Sequence, residues 1–380
     1  MASTITWDRL RQLAEFRAEK GCAISLYIDL APRDSPTPPA AETRLHSLID
    51  EAGRRLGERR RALGHRQRLA LQSDLERIER WFDDEFERNG SLGVAVFAAG
   101  LDNFWAILQL PDAVRDEVKI ASELCLAPLV RLVGRTDGAL VAVVGRERGE
   151  VFRFDDGKLV EIADRSDEAP RRHDQGGWSQ ANYERHIDTL VDRHLRRVAD
   201  TLEDCVRELR GTFVVLVGGE EIRSEFEELL SGDVKRCLVG WTTAEAHADG
   251  PALLEAVRPV LERRWASRED ELLARWREEA ARNGRAATGW EETLEAASDG
   301  RVELLLVQDG VDRFAFQCPA CGRTQAAEGS CPLDGTTMER RDDGLDLAVH
   351  KTLAYGGTVQ VIRVARDLEP VGGVGALLRF

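Results

Sequence analysis

No apolar run in the chain approaches the roughly 20 residues that a membrane-spanning helix needs, so no segment reads as a helical span. Positive charge is also in deficit. Lys and Arg number 53 against 68 Asp and Glu, a formal net charge of −15 that argues against a generic nucleic-acid coat, although a net sum hides local patches. An even complement of cysteines is missing too. The seven are split between scattered positions (Cys22, Cys125, Cys205, Cys237) and one tight cluster (Cys318, Cys321, Cys331), a pattern that suits buried thiols and a metal site in a reducing compartment better than a disulfide framework. There is no internal repeat, no low-complexity tract, no Ser-His-Asp set and no P-loop, and His65, His194 and His247 stand isolated, as surface or packing residues do.

What is present is a long α/β pattern. At 380 residues, 43% hydrophobic and 32% charged, the chain exceeds one compact domain, and two or three are expected. The opening "MASTITWDRLRQLAEFRAEKG" reads as an amphipathic helix rather than a signal peptide, so a cytoplasmic protein is expected. "AISLYIDL" reads as a strand and the Pro-rich "APRDSPTPPAA" as a loop. Two or more helices follow over residues 42 to 88, then a strand pair, "SLGVAVFAA" and "NFWAILQLP", across a turn at Gly100 to Asn103. The first domain is placed at 1–133.

A central domain is placed at 134–258. "GALVAVVG", "GEVFRF" and "KLVEIA" are three strand-like runs, the last two joined by Asp-Asp-Gly, a hairpin signal because Gly supplies positive φ. Ile187, Leu190, Val191, Leu195, Val198, Leu202, Val206 and Leu209 then recur at helical steps. "TFVVLVGG" reads as a strand, "EEIRSEFEELL" as a helix, "VKRCLVGW" as a strand and residues 251 to 282 as a long helix. A mixed sheet covered by helices is expected. The third domain, 259–380, offers the helix and strand of "GWEETLEAASDGRVELLLVQDG", the helix "GLDLAVHKTLAYGG", the strand "TVQVIRV" and the tail "GGVGALLRF".

Within that third domain, "CPACGRTQAAEGSCPLDG" has the Cys-x-x-Cys spacing that lets two thiolates reach one tetrahedral ion, with Cys331 ten residues after Cys321. A second Cys-x-x-Cys would place a cysteine at 334, where the chain has Asp334, and a carboxylate oxygen also ligates Zn²⁺. Cys318, Cys321, Cys331 and Asp334 are therefore the candidate closed, structural zinc site, with Asp342, His350 or water as substitutes for the fourth ligand, and a metal-free Gly-rich loop as the alternative.

Between the hairpin strands and the long helix lies "PRRHDQGGWSQANYERH". Taken locally, Gly-Gly before a helix is a turn. Cations flank it: Arg171, Arg172 and His173 before, Arg185 and His186 after, with Arg193, Arg196 and Arg197 further along the helix. A basic helix that begins at a flexible tip suits phosphate backbones.

In the order of these parts the chain resembles a bacterial member of the archaeal and eukaryotic class-1 translation release factor family, related to Pelota and to the yeast peptidyl-tRNA hydrolase of ribosome quality control. The likeness spans nearly the full length and is most specific in the terminal "GGVGALLRF". It implies a three-domain release-factor and Pelota-like architecture, with an RNase H-like central mixed-sheet domain carrying the Gly-Gly loop and a third, L7Ae-like α/β/α domain with a zinc-knuckle-like insert. In that family a Gly-Gly-Gln loop enters the peptidyl transferase centre and helps water hydrolyse peptidyl-tRNA. The glycines match as Gly176 and Gly177, while Trp178 and Ser179 intervene before Gln180, the candidate for positioning water; Trp178 suits stacking on a base. The flanking Arg and His residues would hold rRNA or tRNA phosphates. The family's Asn-Ile-Lys-Ser codon motif is absent, replaced by the basic stretch at residues 53 to 68, so stop-codon reading is not expected. Some relatives, such as the hibernation factor Balon, occupy the A site without this chemistry. The resemblance thus implies the ribosome and peptidyl-tRNA as partners, allows a translational GTPase, and involves no membrane.

Overall fold

The computed structural model describes residues 5–33, 35, 37–58, 63–88, 91–136, 139–155, 158–165, 179–209, 212–245 and 247–380. They form a mixed α/β fold of several sheets, divided into two compact units: Met1–Gly134 together with Glu269–Phe380, and Arg135–Arg268.

In the first unit, β1 (Ala23–Asp29), β2 (Gly93–Ala99), β3 (Phe104–Leu110) and β4 (Glu117–Ala121) make an antiparallel sheet in the order β3-β2-β1-β4. Every residue of β1 and β2 is buried, which explains why β2 reads as a continuous apolar run rather than an alternating one; in β1 the burial includes the polar Ser25 and Asp29. Ile24, Leu26, Ile28, Val94, Val96 and Ala98 pack under α2 (Pro38–Glu58) and α3 (His65–Asp84), while Ala23, Tyr27, Ala95 and Phe97 face a second core. The expected turn is there: a 3₁₀ turn at Gly100–Asp102, closed by Asn103 in the left-handed region at φ 55°. The Pro-rich loop is shorter than expected. Helix α2 begins at Pro38, because proline in a first helical turn gives up only N–H groups that have no intrahelical partner.

The C-terminal segment of this unit builds a second sheet, β10 (Ala286–Thr288), β16 (Val374–Leu378), β11 (Val302–Gln308) and β15 (Thr358–Ile362), in that order, with β11 and β15 parallel. Helices α9 (Gly289–Ser298) and α10 (Gly344–Ala354) cover one face; Leu273 and Trp276, from the end of α8 (Gly250–Ala281), cover Leu306, Ile362 and Leu377 on the other. The core under α9 and α10 is continuous with that of the first sheet: Leu10, Leu13, Tyr27 and Phe97 share it with Leu294, Leu305, Leu347 and Leu353. The two terminal segments are joined polarly as well. Asp346, in the first turn of α10 and buried, accepts the N–H groups of Leu126 (2.7 Å) and Ala127 (2.9 Å), so it caps α4 (Ala127–Thr136) from 220 residues away.

The second unit holds the expected mixed sheet. Its order is β7-β6-β5-β8-β9: β5 (Ala139–Val144), β6 (Gly149–Asp155) and β7 (Lys158–Asp164) are antiparallel neighbours, whereas β8 (Phe213–Val217) and β9 (Leu238–Thr242) run parallel to β5. Alternate residues of β5 face opposite layers. Leu140, Ala142 and Val144 meet α5 (Ser179–Glu208) and α6 (Glu220–Leu229); Ala139, Val141 and Val143 meet Leu253, Val257 and Val260 of α8. "VKRCLVGW" is a strand only in its second half. Its first half lies in α7 (Gly232–Cys237), started by Ser231, whose hydroxyl accepts the N–H of Val234.

Candidate functional site

Gly176, Gly177, Trp178, Arg171, Arg172 and His173 lie outside the described residues. The helix that follows them does not. α5 begins at Ser179, so Gln180 stands in its first turn, and Arg185 and His186 follow on the same helix. The apolar face read from the sequence anchors it: Leu195, Val198 and Leu202 are fully buried against the sheet, and His194 is buried beside them with Nε2 3.3 Å from the Arg148 carbonyl oxygen. Arg193, Arg196 and Arg197 are exposed. Arg196 makes a two-pronged bond to Asp192 one turn earlier (2.9 and 3.0 Å).

The cysteine cluster is fully described and has an internal symmetry. It sits on a small sheet of β13 (Thr324–Gln325), β12 (Ala315–Gln317) and β14 (Glu339–Arg341). "CPACG" and "CPLDG" fold into the same turn twice. The N–H of Gly322 donates to the Cys318 carbonyl and that of Gly335 to the Cys331 carbonyl (2.9 Å each); the Cys318 N–H donates to Arg323 O and the Cys331 N–H to Thr336 O (2.8 Å each). Gly322 (φ 75°) and Gly335 (φ 74°) close both turns in the left-handed region, where a side chain would be strained. By this correspondence Asp334 occupies the place of a second Cys-x-x-Cys cysteine.

One ligand atom from each of Cys318, Cys321, Cys331 and Asp334 lies within 4.8 Å of all the others. The Cys321 and Cys331 sulfurs are 3.5 Å apart, and Asp334 Oδ2 is 3.4 Å from the Cys318 sulfur. Around a tetrahedral zinc, Zn–S bonds of about 2.3 Å put sulfurs about 3.7 Å apart, so the donor set fits such an ion. The Thr336 N–H donates to Asp334 Oδ1 (2.9 Å), holding the carboxylate well below its usual range and leaving Oδ2 turned to the thiols. Burial works to raise the Cys318 thiol, but the N–H groups of Cys321 and Ala320 outweigh it and bring the thiol down. Asp342 and His350 are not in this cluster; His350 is buried in α10. The signal that ranks Asp334 first is the repeated Cys-Pro-x-x-Gly, which a search for a fourth cysteine passes over.

Residues 125–262 match the model of a family described as Bacterial archaeo-eukaryotic release factor family 10. Peptide chain release factor subunit 1 of Archaeoglobus fulgidus is 27% identical over 250 residues, covering 59% of this chain and 61% of its own length. The protein of the same name from Thermoplasma acidophilum is 24% identical over 305 residues, 72% of each. The chain thus spans about three fifths of the first of these relatives. Among solved structures, archaeal translation termination factor aRF1 is 17% identical with 99% of both chains covered and a TM-score of 0.29; Archaeoglobus fulgidus Pelota is 17% identical, covering 78% and 82%, with a TM-score of 0.34. In sequence the chain is release-factor-like, and the resemblance drawn from its motifs holds.

Proposed function

We propose that this chain is a cytoplasmic factor that binds the ribosomal A site and hydrolyses the peptidyl-tRNA ester on stalled or idle ribosomes, without reading a stop codon. The observation that carries the reading is the family match over residues 125–262, because that stretch contains the Gly-Gly loop and all of its flanking cations. Gly176 and Gly177 let the backbone approach the terminal adenosine, and Gln180 orients water or donates toward the developing oxyanion. Arg171, Arg172, His173, Arg185, His186, Arg193, Arg196 and Arg197 hold rRNA or tRNA phosphates, and Trp178 stacks on a base. Segments 1–133, 134–258 and 259–380 serve as its three functional parts, a division supported around the centre by the compact unit Arg135–Arg268. A translational GTPase fits the same reading as a delivery partner. Cys318, Cys321, Cys331 and Asp334 hold zinc as a structural brace; with four protein ligands the ion has no open position for chemistry.

A second reading has its own support. Gln180 lies in the first turn of α5, three residues past Gly177, rather than directly after the glycines. That favours a non-catalytic hibernation or rescue factor that fills the A site. Both readings require ribosome binding there. Competition between the purified protein and an A-site tRNA for ribosomes with an occupied P site tests it: mutual exclusion is expected, and simultaneous binding of both would remove the A-site reading.

A further inference from the structure

Where the cysteine insert leaves the main body of the first unit, rings and guanidinium groups alternate. The Arg313 guanidinium lies 5.9 Å from the ring centroid of Trp290 and 5.6 Å from that of Phe314, and the Arg340 guanidinium lies 4.3 Å from Phe314. Phe314 is 39% exposed, and both arginines are exposed.

The stack is held in place by backbone bonds. The Gly344 N–H, at the start of α10, donates to the Arg313 carbonyl (2.8 Å), and Asp312 Oδ1 accepts the N–H groups of Arg313 and Leu345 (2.8 Å each). A Cβ at position 344 would stand 2.4 Å from the Arg313 oxygen, so glycine alone lets α10 start so close. Trp290 is fixed beneath by its Nε1–H bond to the Gly372 carbonyl (2.8 Å).

The neighbouring carboxylates leave one cation uncompensated. Asp312 is taken up by the backbone; Asp343 is within 3.3 Å of Arg341; Asp342, with its side chain 88% exposed, lies 3.2 Å from Arg340. Among the described residues no carboxylate forms an ion pair with Arg313. A partly exposed ring flanked by guanidinium planes, one of them without a counter-charge, complements an unstacked base with its phosphate. A protein partner would call for a wider apolar patch than one ring offers.

We propose that Arg313, Phe314 and Arg340 form a stacking contact for an unpaired nucleotide of RNA. Its assignment to ribosomal RNA rests on the function proposed above; the RNA contact itself does not. The test compares full-length wild type with Phe314→Ala, Arg313→Ala and Phe314→Tyr against two probes, vacant ribosomes by cosedimentation and a fluorescein-labelled 12-nucleotide oligoadenylate by anisotropy. Matched metal content and melting temperature guard against a folding defect. Phe314→Ala and Arg313→Ala are expected to weaken both interactions about tenfold or more, while Phe314→Tyr, which keeps the ring, restores them. Wild type and Phe314→Ala binding both probes equally would overturn the contact and leave the ribosomal function standing, whereas equal ribosome binding with oligoadenylate binding lost would remove only its assignment to ribosomal RNA. Should wild type bind no ribosomes, that function falls, and the oligoadenylate decides the contact: bound by wild type and lost in Phe314→Ala supports it, bound by neither overturns it.

Discussion

Asp334 sits where the symmetry of two Cys-Pro-x-x-Gly turns calls for a thiolate, and a carboxylate is a weaker, harder ligand for zinc than sulfur. Asp334→Cys should therefore retain zinc in competition with a chelator at least about tenfold better than wild type, whereas Cys318→Ser should lose stoichiometric metal. Elemental analysis of protein purified with zinc present checks both, and a substoichiometric trace in the wild type would remove the metal claim. Asp346 yields a second prediction. Burial pushes its carboxyl up to about 6, with Lys119 pulling the other way and Asp343 adding to the rise. The folded chain then holds the proton more tightly than the unfolded chain, whose Asp titrates near about 3.9. The associated stability is full below that unfolded value and is lost as pH rises through the folded one. Between pH 4 and pH 7 wild type should lose roughly 2 kcal/mol relative to Asp346→Asn, an order-of-magnitude figure somewhat below the full two-unit difference because the unfolded Asp is already about half ionised at pH 4. Denaturant titrations across that range measure it, and parallel pH profiles for the two proteins would contradict the assignment.

At the scale of elements, α5 combines a buried stripe with an exposed row of arginines, and the two can be separated. Leu202→Ala, at a fully buried site, should cost about 3 kcal/mol of stability. Replacing Arg193, Arg196 and Arg197 together by Ala should leave the melting temperature nearly unchanged, yet weaken ribosome binding and flatten its dependence on salt, roughly one unit of logarithmic slope per lost phosphate contact. An unchanged slope would mean that this face does not meet RNA. Most elements were legible because their patterns were unambiguous: period-3.6 recurrence for α5, unbroken apolar runs for β2 and β5, Asp-Asp-Gly between β6 and β7. The differences between pattern and structure fall at boundaries. Ser231 starts a helix that breaks into what reads as one strand, and Pro38 begins a helix inside what reads as a loop. Both are capping effects, decided by one residue rather than by a period.

At the scale of the molecule, periodicity could not show that residues near both ends share a core. Leu10 of α1 (Trp7–Ala14) and Leu347 of α10 each mark an apolar face, but nothing in either pattern names the other as partner; the Asp346 cap on α4 is equally silent in sequence. The candidate site divides in the same way. The ligand positions Cys318, Cys321, Cys331 and Asp334 were legible from spacing, and the structure brings them together. Gly176 and Gly177, outside the described residues, rest on the family resemblance alone, because Gly-Gly before a helix says no more than turn. Hydrolysis by the Gly-Gly loop is the step on which the proposed function turns. Its most direct test is release of labelled peptide from purified ribosomes carrying peptidyl-tRNA in the P site and an empty A site, with wild type, Gly177→Ala and Gln180→Ala compared at equal ribosome occupancy. Release by wild type is expected, with a loss of about a hundredfold or more in both variants, the scale of removing a group that stabilises the transition state. Tight binding by wild type without release would contradict it and make the chain an A-site blocking factor.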